Sequence, residues 1–308
     1  MGVAIQIARR RAHRRWGGRL AGIGQYASIL LSILLIAAIL RELSLVDLAA
    51  AFTLRPLPPV FYAAFLVFFL GSPFIEWLIL RRLWQAPFSG FWAILRKMVY
   101  NEMLISYLGD AYLFAWLRRE LPRVERPFAV VKDMAIVSAF TGSVLTLLAI
   151  AVAWPFFPQV EQAGLGTSIP LALALPLASG GAIALFRNKL LSLPRREIAW
   201  IGWACGIRVV AQTFAAVVMW WSLLPQVPLT TWLVLAAIRM VSTRLPLVPN
   251  KDIAFAAVTV ALIGDHDGIA PMIVMITGLV IMANILVAIV ISLLSWAEAI
   301  GRRRLASA

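Results

Sequence analysis

The sequence predicts an all-α, polytopic membrane protein with about six transmembrane helices and two re-entrant helical hairpins in an inverted repeat. Three observations support this prediction. Of the 308 residues, 62% are hydrophobic and 14% are charged, whereas soluble domains have about 25% charged residues. The hydrophobic residues form runs of about 20, the length that a helix needs to cross a bilayer. The basic residues lie in short clusters between these runs.

Six apolar runs have the length and composition of transmembrane helices. The first follows six arginines and superficially resembles a signal peptide, but it is long enough to span and lacks a clear small-x-small cleavage site. We therefore expect it to be retained as a helix. The predicted spans are Leu20–Leu40, Val60–Leu80, Ala129–Trp154, Ile169–Phe186, Ile198–Leu224 and Pro271–Leu294.

The distribution of basic residues predicts the topology. If the N-terminus lies inside, 20 of the 28 basic residues fall on the inner side, and the outer side holds only Arg41 and Arg55. By the positive-inside rule, both termini are then cytoplasmic, and the expected location is the bacterial cytoplasmic (inner) membrane. The inner clusters lie before residue 20 and at 81–82, 118–132, 187–196 and 302–304.

Two further segments are apolar but are charged or broken. Phe91–Leu117 contains four charged residues, is broken at Gly109, and has an inner basic cluster at each end. Thr230–Ile263 consists of two pieces of about 14 residues, each short for a span, around Leu245–Asn250. We predict two hairpins that enter the membrane and leave by the same face, because broken backbone is tolerated at that depth only inside protein or beside a wet cavity. Two ordinary helix pairs are the alternative.

The order of these elements repeats with inverted orientation. Residues 20–154 and residues 169–294 each contain two spans, a hairpin and a further span, and the second series enters from the opposite face. Transporters with such repeats bind substrate near the bilayer midplane. The predicted domains are a basic cytoplasmic segment of residues 1–19, a transmembrane domain of residues 20–297 and a basic cytoplasmic tail of residues 298–308.

Ionisable residues within the membrane segments mark the predicted functional site, because each costs about 2.5–3.5 kcal/mol at a helix centre. Arg208 lies about 16 Å into its helix, near mid-depth; a structural pair with an acidic residue such as Asp110 is the alternative. Hairpin cations outnumber carboxylates five to three, which favours an anion such as phosphate. The predicted substrate-binding residues are Arg96, Asn101, Glu102, Asp110, Arg208, Arg239, Arg244 and Lys251.

Simpler interpretations apply to several charged residues. Glu76, five residues before Arg81, is expected to make a local ion pair. Asp133 is expected to complement the helix dipole at the start of its helix. Arg239 and Arg244 are five residues apart on a short helix, so they need not share one face.

The sequence predicts no catalytic or metal centre and no cofactor. It contains no Gly-x-Ser-x-Gly, His-Glu-x-x-His or P-loop motif. Asp265-His266-Asp267 resembles a ligand cluster, but three consecutive helical residues cannot face one ion, so a solvated loop is expected. The net charge of +14 favours anionic membrane lipids rather than nucleic acid as partners, and a second copy of the chain or a membrane-complex partner is also compatible.

Residues Asn101–Asp110, followed by Arg118-Arg119, resemble the first conserved region of the lysylphosphatidylglycerol synthase transmembrane (flippase-like) family. Leu245–Asn250 is similar to the second, proline-containing hairpin of that family. The resemblance extends over about residues 25–295. It implies a lipid-flipping membrane domain without the soluble aminoacyl-transferase domain of the bifunctional members.

By this resemblance, three residues match the first motif and two match the second. At two places the chain departs from the family pattern: Ile105-Ser106 stands where a Leu-Pro is usual, and Asn250–Asp252 replaces glycines. The matching residues are Asn101, Gly109, Asp110, Pro246 and Pro249.

The leading functional hypothesis is translocation of an anionic lipid or lipid-linked phosphate between leaflets. Arg96, Arg208, Arg239 and Arg244 would contact the phosphate, and Asp110 would tune their charge. A membrane-embedded lipid-modifying transferase with a hairpin carboxylate as general base is one alternative. An assembly or scaffold subunit of a membrane complex is another. Enzymatic activity is disfavoured because no nucleotide-binding motif is present.

Overall fold

The chain is all-helical wherever its structure is described. The computed structural model describes residues 57–104, 108–121, 126–157, 190–244, 251–263 and 268–307, with isolated positions at 124 and between 174 and 185. No strand occurs among these residues, so the all-α part of the predicted fold class is confirmed for them. The predicted elements outside the described residues are Leu20–Leu40, most of Ile169–Phe186, the proline motif 245–250 and the cluster 265–267.

Eight α-helices have defined bounds in the described part of the chain. A 3-10 turn, Trp154–Phe156, continues the fourth. The helices are α1 (Pro59–Trp84), α2 (Ser89–Met103), α3 (Leu108–Glu120), α4 (Pro127–Ala153), α5 (Arg195–Leu223), α6 (Leu229–Ser242), α7 (Lys251–Ile263) and α8 (Ile269–Ser307). The chain divides into two compact units, and residues 46–291 form the unit that contains α1–α7 and most of the apolar part of α8.

Four of these helices are long and apolar enough to cross a membrane. They cover residues 59–84, 127–156, 195–223 and 269–294, which agrees with four of the predicted spans. Large apolar side chains on their outer surfaces are exposed, as at Leu66, Trp203, Phe214 and Leu286. Such surfaces are typical of helices that face lipid, because hydrocarbon does not penalise exposed apolar atoms.

Proline fixes several helix starts. Pro59 and Pro127 occupy the first turn of α1 and α4, where the missing N–H costs no helical hydrogen bond. Pro194 and Pro228 immediately precede α5 and α6. Pro73 differs because it lies inside α1 and is buried, so it removes one hydrogen bond in the middle of that helix.

The first apolar cluster packs α2 and α3 against α1 and α5, which we call the central helices. It combines Trp77 and Leu80 from the end of α1 with Ile201 and Cys205 from the start of α5. Helices α2 and α3, which contact each other as a hairpin, and the start of α4 contribute the rest. We call α2–α3 the first hairpin. It packs where α1 ends and α5 begins.

The second apolar cluster lies at the other end of the central helices. It combines Phe61 and Phe68 from the start of α1 with Met219 and Trp220 from the end of α5. Most of its remaining residues come from α6, α7 and the start of α8. Helices α6 and α7 contact each other, and we call them the second hairpin. The start of α1 therefore lies beside the end of α5, so these helices are antiparallel and the hairpins pack at their opposite ends.

The two series of helices match in order and length. Helices α1 to α4 have 26, 15, 13 and 27 residues. Helices α5 to α7 have 29, 14 and 13 residues, and the apolar part of α8 has 26. The start of α8 at Ile269 follows the start of α4 at Pro127 by 142 residues. The same separation relates charged residues of the two hairpins, described below.

Asp133 connects two helices, and its predicted role is wrong. It is the seventh residue of α4, fully buried, rather than a residue of the first turn. Its Oδ2 accepts backbone N–H bonds from Ser192 (2.6 Å) and Leu193 (2.7 Å), just before α5 begins. Lys132 Nζ lies 3.2 Å from its other oxygen. This carboxylate therefore fixes the entry into α5.

Asp133→Ala is expected to destabilise the protein by about 2–3 kcal/mol, because two backbone N–H groups lose their acceptor. Thermal unfolding of the detergent-solubilised chain, followed by tryptophan fluorescence, measures this change. Glu120→Ala is the control: its carboxylate is exposed and, among the described residues, pairs with exposed Arg119 alone, so its effect stays within about 0.5 kcal/mol. Equal melting temperatures for the two variants would contradict the assigned role.

Candidate functional site

A cavity of about 680 Å³ lies between the middle of the central helices and the tips of both hairpins. Its volume is in the range of ligand-binding cavities. Apolar side chains such as Phe68, Ile94 and Val280 form part of its wall. Seven of the eight predicted substrate-binding residues also line it: Asn101, Glu102, Asp110, Arg208, Arg239, Arg244 and Lys251.

Arg96 is the eighth predicted residue and lies outside the cavity lining. Its Nη1 donates to the hydroxyl of Tyr112 at 3.2 Å. Its neighbour Lys97 lines the cavity instead. Consecutive residues of a helix point about 100° apart, so only one of these two cations on α2 faces the cavity.

Glu76 joins the central helices to the first hairpin. Its Oε2 accepts from Lys97 Nζ at 2.8 Å, and its Oε1 lies 3.4 Å from Arg208 Nη1. The three side chains are only 11–16% exposed. The predicted local ion pair of Glu76 is therefore wrong. The alternative prediction for Arg208, a structural pair with an acidic residue, is confirmed, with Glu76 rather than Asp110 as the partner. One feature of the sequence indicates that Glu76 has a role inside the protein: it is the only acidic residue in the 26-residue helix α1.

Arg208 is held by hydroxyl groups as well as by Glu76. Its Nη2 donates to Ser138 Oγ on α4 at 2.7 Å, and its Nη1 donates to Ser72 Oγ on α1 at 3.2 Å. One guanidinium thus contacts two of the helices that pack against α5. A positive charge therefore lies in the middle of α5, as predicted. The hydrogen bonds fix the direction in which the Arg208 side chain points.

The tip of the first hairpin is closed by a chain of polar contacts. Lys97 Nζ lies 3.1 Å from Asp110 Oδ1. Asn101 Nδ2 donates to Asp110 Oδ2 at 3.4 Å, and the N–H of Gly109 donates to Asn101 Oδ1 at 2.7 Å. A Cβ at Gly109 would overlap the carbonyl of Lys97. The glycine therefore allows α2 and α3 to approach closely enough for these contacts.

The second hairpin carries an equivalent ion pair. Arg239 on α6 lies 3.0 Å from Asp252 in the first turn of α7. Both ion pairs join residues 13 apart in the chain, and each residue of the second follows its counterpart by 142. Arg239 also lies 4.3 Å above the ring of Phe68. We call the pairs Lys97–Asp110 and Arg239–Asp252 the hairpin clamps.

The charge surplus of the cavity is smaller than predicted. The prediction counted six cations, with Arg208, and three carboxylates. The described lining has five cations, because Arg96 lies outside it, and four carboxylates, because Glu76 is added. Arg244 and Lys251 have no carboxylate within 4 Å among the described residues. Glu102 lies within electrostatic reach of Asp252, Lys251 and Arg239. Counted as formal charges, the described lining residues leave one positive charge in excess.

The described parts of the chain contain no group of three His, Cys, Asp or Glu residues arranged to hold a metal ion. The four carboxylates of the cavity lie beside its cations instead. The arrangement is suited to binding a charged organic group through hydrogen bonds and ion pairs.

No protein-family model, curated protein or solved structure matches this chain. The resemblance of Asn101–Asp110 to the lysylphosphatidylglycerol synthase transmembrane family therefore stays a prediction. Asn101, Gly109 and Asp110 nevertheless have a physical role in this chain, because they form the tip of the first hairpin.

Glu76→Gln is expected to destabilise the protein by about 3–5 kcal/mol, because it leaves Lys97 and Arg208 without a shared counter-charge. Thermal unfolding in detergent gives the change. Glu76→Gln combined with Lys97→Gln is expected to cost less than the sum of the single variants, since the two residues interact. Strict additivity would contradict the network, and Glu120→Gln is the exposed control.

Gly109→Ala is expected to open the tip of the first hairpin, because the new methyl group would overlap backbone rather than a flexible side chain. Overpacking of this kind costs about 1–3 kcal/mol. Gly181→Ala is the matched control, since a Cβ there meets no atom of the described residues within 4 Å. A melting temperature as high for Gly109→Ala as for Gly181→Ala would show that the close approach is not required.

Proposed function

We propose that this chain translocates an anionic lipid or a lipid-linked phosphate between the leaflets of the bacterial cytoplasmic membrane. The observation that supports the proposal is the cavity between the two hairpin tips. Its wall combines five cations, four carboxylates and apolar side chains. A phospholipid has the same two-part character, since its headgroup is charged and its chains are apolar.

The proposed architecture has about six transmembrane helices and two re-entrant hairpins, with both termini cytoplasmic. The matched order and similar lengths of α1–α4 and α5–α8 support an inverted repeat. The separation of 142 residues that the two ion pairs share with the starts of α4 and α8 supports it as well. The packing of the hairpins at opposite ends of an antiparallel pair supports their entry from opposite faces. In this arrangement the two tips meet near mid-depth.

The energetic problem of translocation is the headgroup. An ion that leaves water without a partner loses its hydration free energy, so an unassisted phosphate crosses hydrocarbon very slowly. Arginine side chains in the cavity replace water as hydrogen-bond donors to the phosphate oxygens. Acyl chains need no such path, because apolar helix surfaces and lipid are equivalent solvents for them.

The two hairpins, each held together by its clamp, are candidate gates of the cavity. Each clamp joins the two helices of one hairpin beside the cavity. Movement of one hairpin away from α1 and α5 would expose the cavity to one face of the membrane, while the other hairpin stays closed. Alternating access in inverted-repeat transporters works in this way.

Arg208→Ala is expected to slow translocation at least about tenfold, because hydrogen bonds to charged groups contribute about 1.5–3 kcal/mol. The measurement uses the purified chain in vesicles that contain a fluorescent phosphatidylglycerol. Dithionite quenches only the outer leaflet and so reports the rate at which labelled lipid appears there. Arg208→Lys keeps the charge and is expected to retain part of the rate.

Arg196→Ala is the matched control, because this arginine is on the same helix but is exposed. Its rate is expected to equal that of the wild type. Vesicles with wild-type protein that translocate no faster than protein-free vesicles would contradict the proposed function. A fast wild type with an equally fast Arg208→Ala variant would remove Arg208 from the mechanism.

A further inference from the structure

The five cations of the cavity differ in how far protein groups already satisfy them. Lys97 contacts two carboxylates, at 2.8 and 3.1 Å. Arg239 pairs with Asp252 and lies over the ring of Phe68. These two cations belong to the hairpin clamps, and a ligand could recruit them only by breaking a clamp. They are therefore poor candidates for the resting anion site.

Arg208 is positioned but only partly neutralised. It shares Glu76 with Lys97 and is the more distant partner, at 3.4 Å against 2.8 Å. Its Nη groups donate to Ser72 and Ser138. Its Nε is buried and has no hydrogen-bond partner among the described residues. Arg208 can therefore accept a further anionic partner without losing its place.

Arg244 is less satisfied than Arg208. Among the described residues, no carboxylate lies within 4 Å of it, and its buried Nε has no hydrogen-bond partner. Its guanidinium lies against Gly142 of α4, where any Cβ would overlap Nη1. Arg208 is close enough to repel it electrostatically. The cavity wall thus holds one guanidinium without a carboxylate and a second that shares its carboxylate with Lys97. Such a pair favours an anion between them.

The charge balance of the cavity indicates how many negative charges this anion carries. Glu76 and Asp110 offset Arg208 and Lys97, and Asp252 offsets Arg239. Glu102 and Lys251 are the remaining carboxylate and one of the two remaining cations of the lining, and they balance in formal charge. Arg244 is left over, so one negative charge brings the cavity to neutrality. A second negative charge would face the carboxylate of Glu76 without a cation of its own.

A buried amide also lines the cavity without a complete set of partners. Asn284 on α8 is 6% exposed, and its Oδ1 has no donor among the described residues. Buried polar atoms normally have partners, because an unpaired one costs about 1–3 kcal/mol. A ligand in the cavity would supply this partner as well as the anion.

We propose that Arg244 and Arg208, with Gly142 as the floor, form a seat for a single phosphodiester monoanion and select it over phosphomonoester dianions. Two guanidinium groups present paired N–H donors that match the two free oxygens of a phosphodiester. The inference rests on the proposed function for the lipid as the source of that group. A free phosphodiester has the same chemistry, so the experiment tests both sources.

Binding to the full-length chain in detergent tests the seat without vesicles. The probes are dioctanoyl phosphatidylmethanol as the monoanion, dioctanoyl phosphatidic acid at pH 8.5 as the dianion, and dioctanoylglycerol as the uncharged lipid. Dimethyl phosphate is the free phosphodiester. Quenching of tryptophan fluorescence gives the dissociation constants. The wild type is expected to bind phosphatidylmethanol at least about tenfold more tightly than either other lipid.

Three variants locate the seat. Arg244→Gln is expected to weaken phosphatidylmethanol binding about tenfold or more, since it removes a charge-assisted hydrogen-bond pair. Gly142→Ala keeps the charge but displaces the guanidinium, so it is expected to weaken binding as well. Arg244→Lys is expected to be intermediate, because an ammonium cannot bind in a bidentate manner. Arg196→Gln is the control and is expected to bind as the wild type does.

Wild-type binding without preference for the monoanion would overturn the proposal, as would equal binding by wild type and Arg244→Gln. If Arg244→Gln does not fold, unchanged binding by both Gly142→Ala and Arg244→Lys overturns it. Arg244-dependent binding of dimethyl phosphate supports a free phosphodiester as ligand, and binding of the lipid alone supports a headgroup. Arg244-dependent binding without translocation would contradict only the proposed function. Translocation that Arg244→Gln leaves unchanged would contradict only this seat.

Discussion

The carboxylate of Glu76 determines how three helices meet around the cavity. It accepts from Lys97 on α2 and lies beside Arg208 on α5, while its own helix, α1, packs antiparallel to α5. Each of the three charges would be costly alone in an apolar protein interior, and together they are tolerated. The α1–α5 pair therefore has a polar middle between two apolar ends. One hairpin packs against each of these ends.

The hairpins depend on close backbone approach as much as on charge. Gly109 brings α3 against the carbonyl of Lys97, and this approach lets Asn101 and Asp110 meet. Gly142 does the equivalent for Arg244 by leaving room on α4. In both places an absent side chain admits a polar group that would otherwise be excluded. Small residues at helix contacts have this use in membrane proteins.

Apolar runs of about 20 residues correctly predicted four described helices that are long and apolar enough to cross a membrane. The bounds were less accurate: α1 continues to Trp84 rather than Leu80, since Arg81 and Arg82 extend the helix. Intramembrane charge predicted seven residues of the cavity. It could not separate Arg96 from Lys97, because the choice depends on helix rotation. Glu76 was missed because its partner Arg208 is 132 residues away, and only tertiary packing joins them.

The separation of 142 residues between the two hairpin clamps has a consequence for the charges of the cavity wall. It makes Glu102 of the first hairpin the counterpart of Arg244 of the second, so equivalent positions carry opposite charges. A perfectly duplicated protein would carry the same charge at both positions. The cavity wall is therefore not electrostatically symmetric between the two hairpins, although the clamps repeat at the same separation.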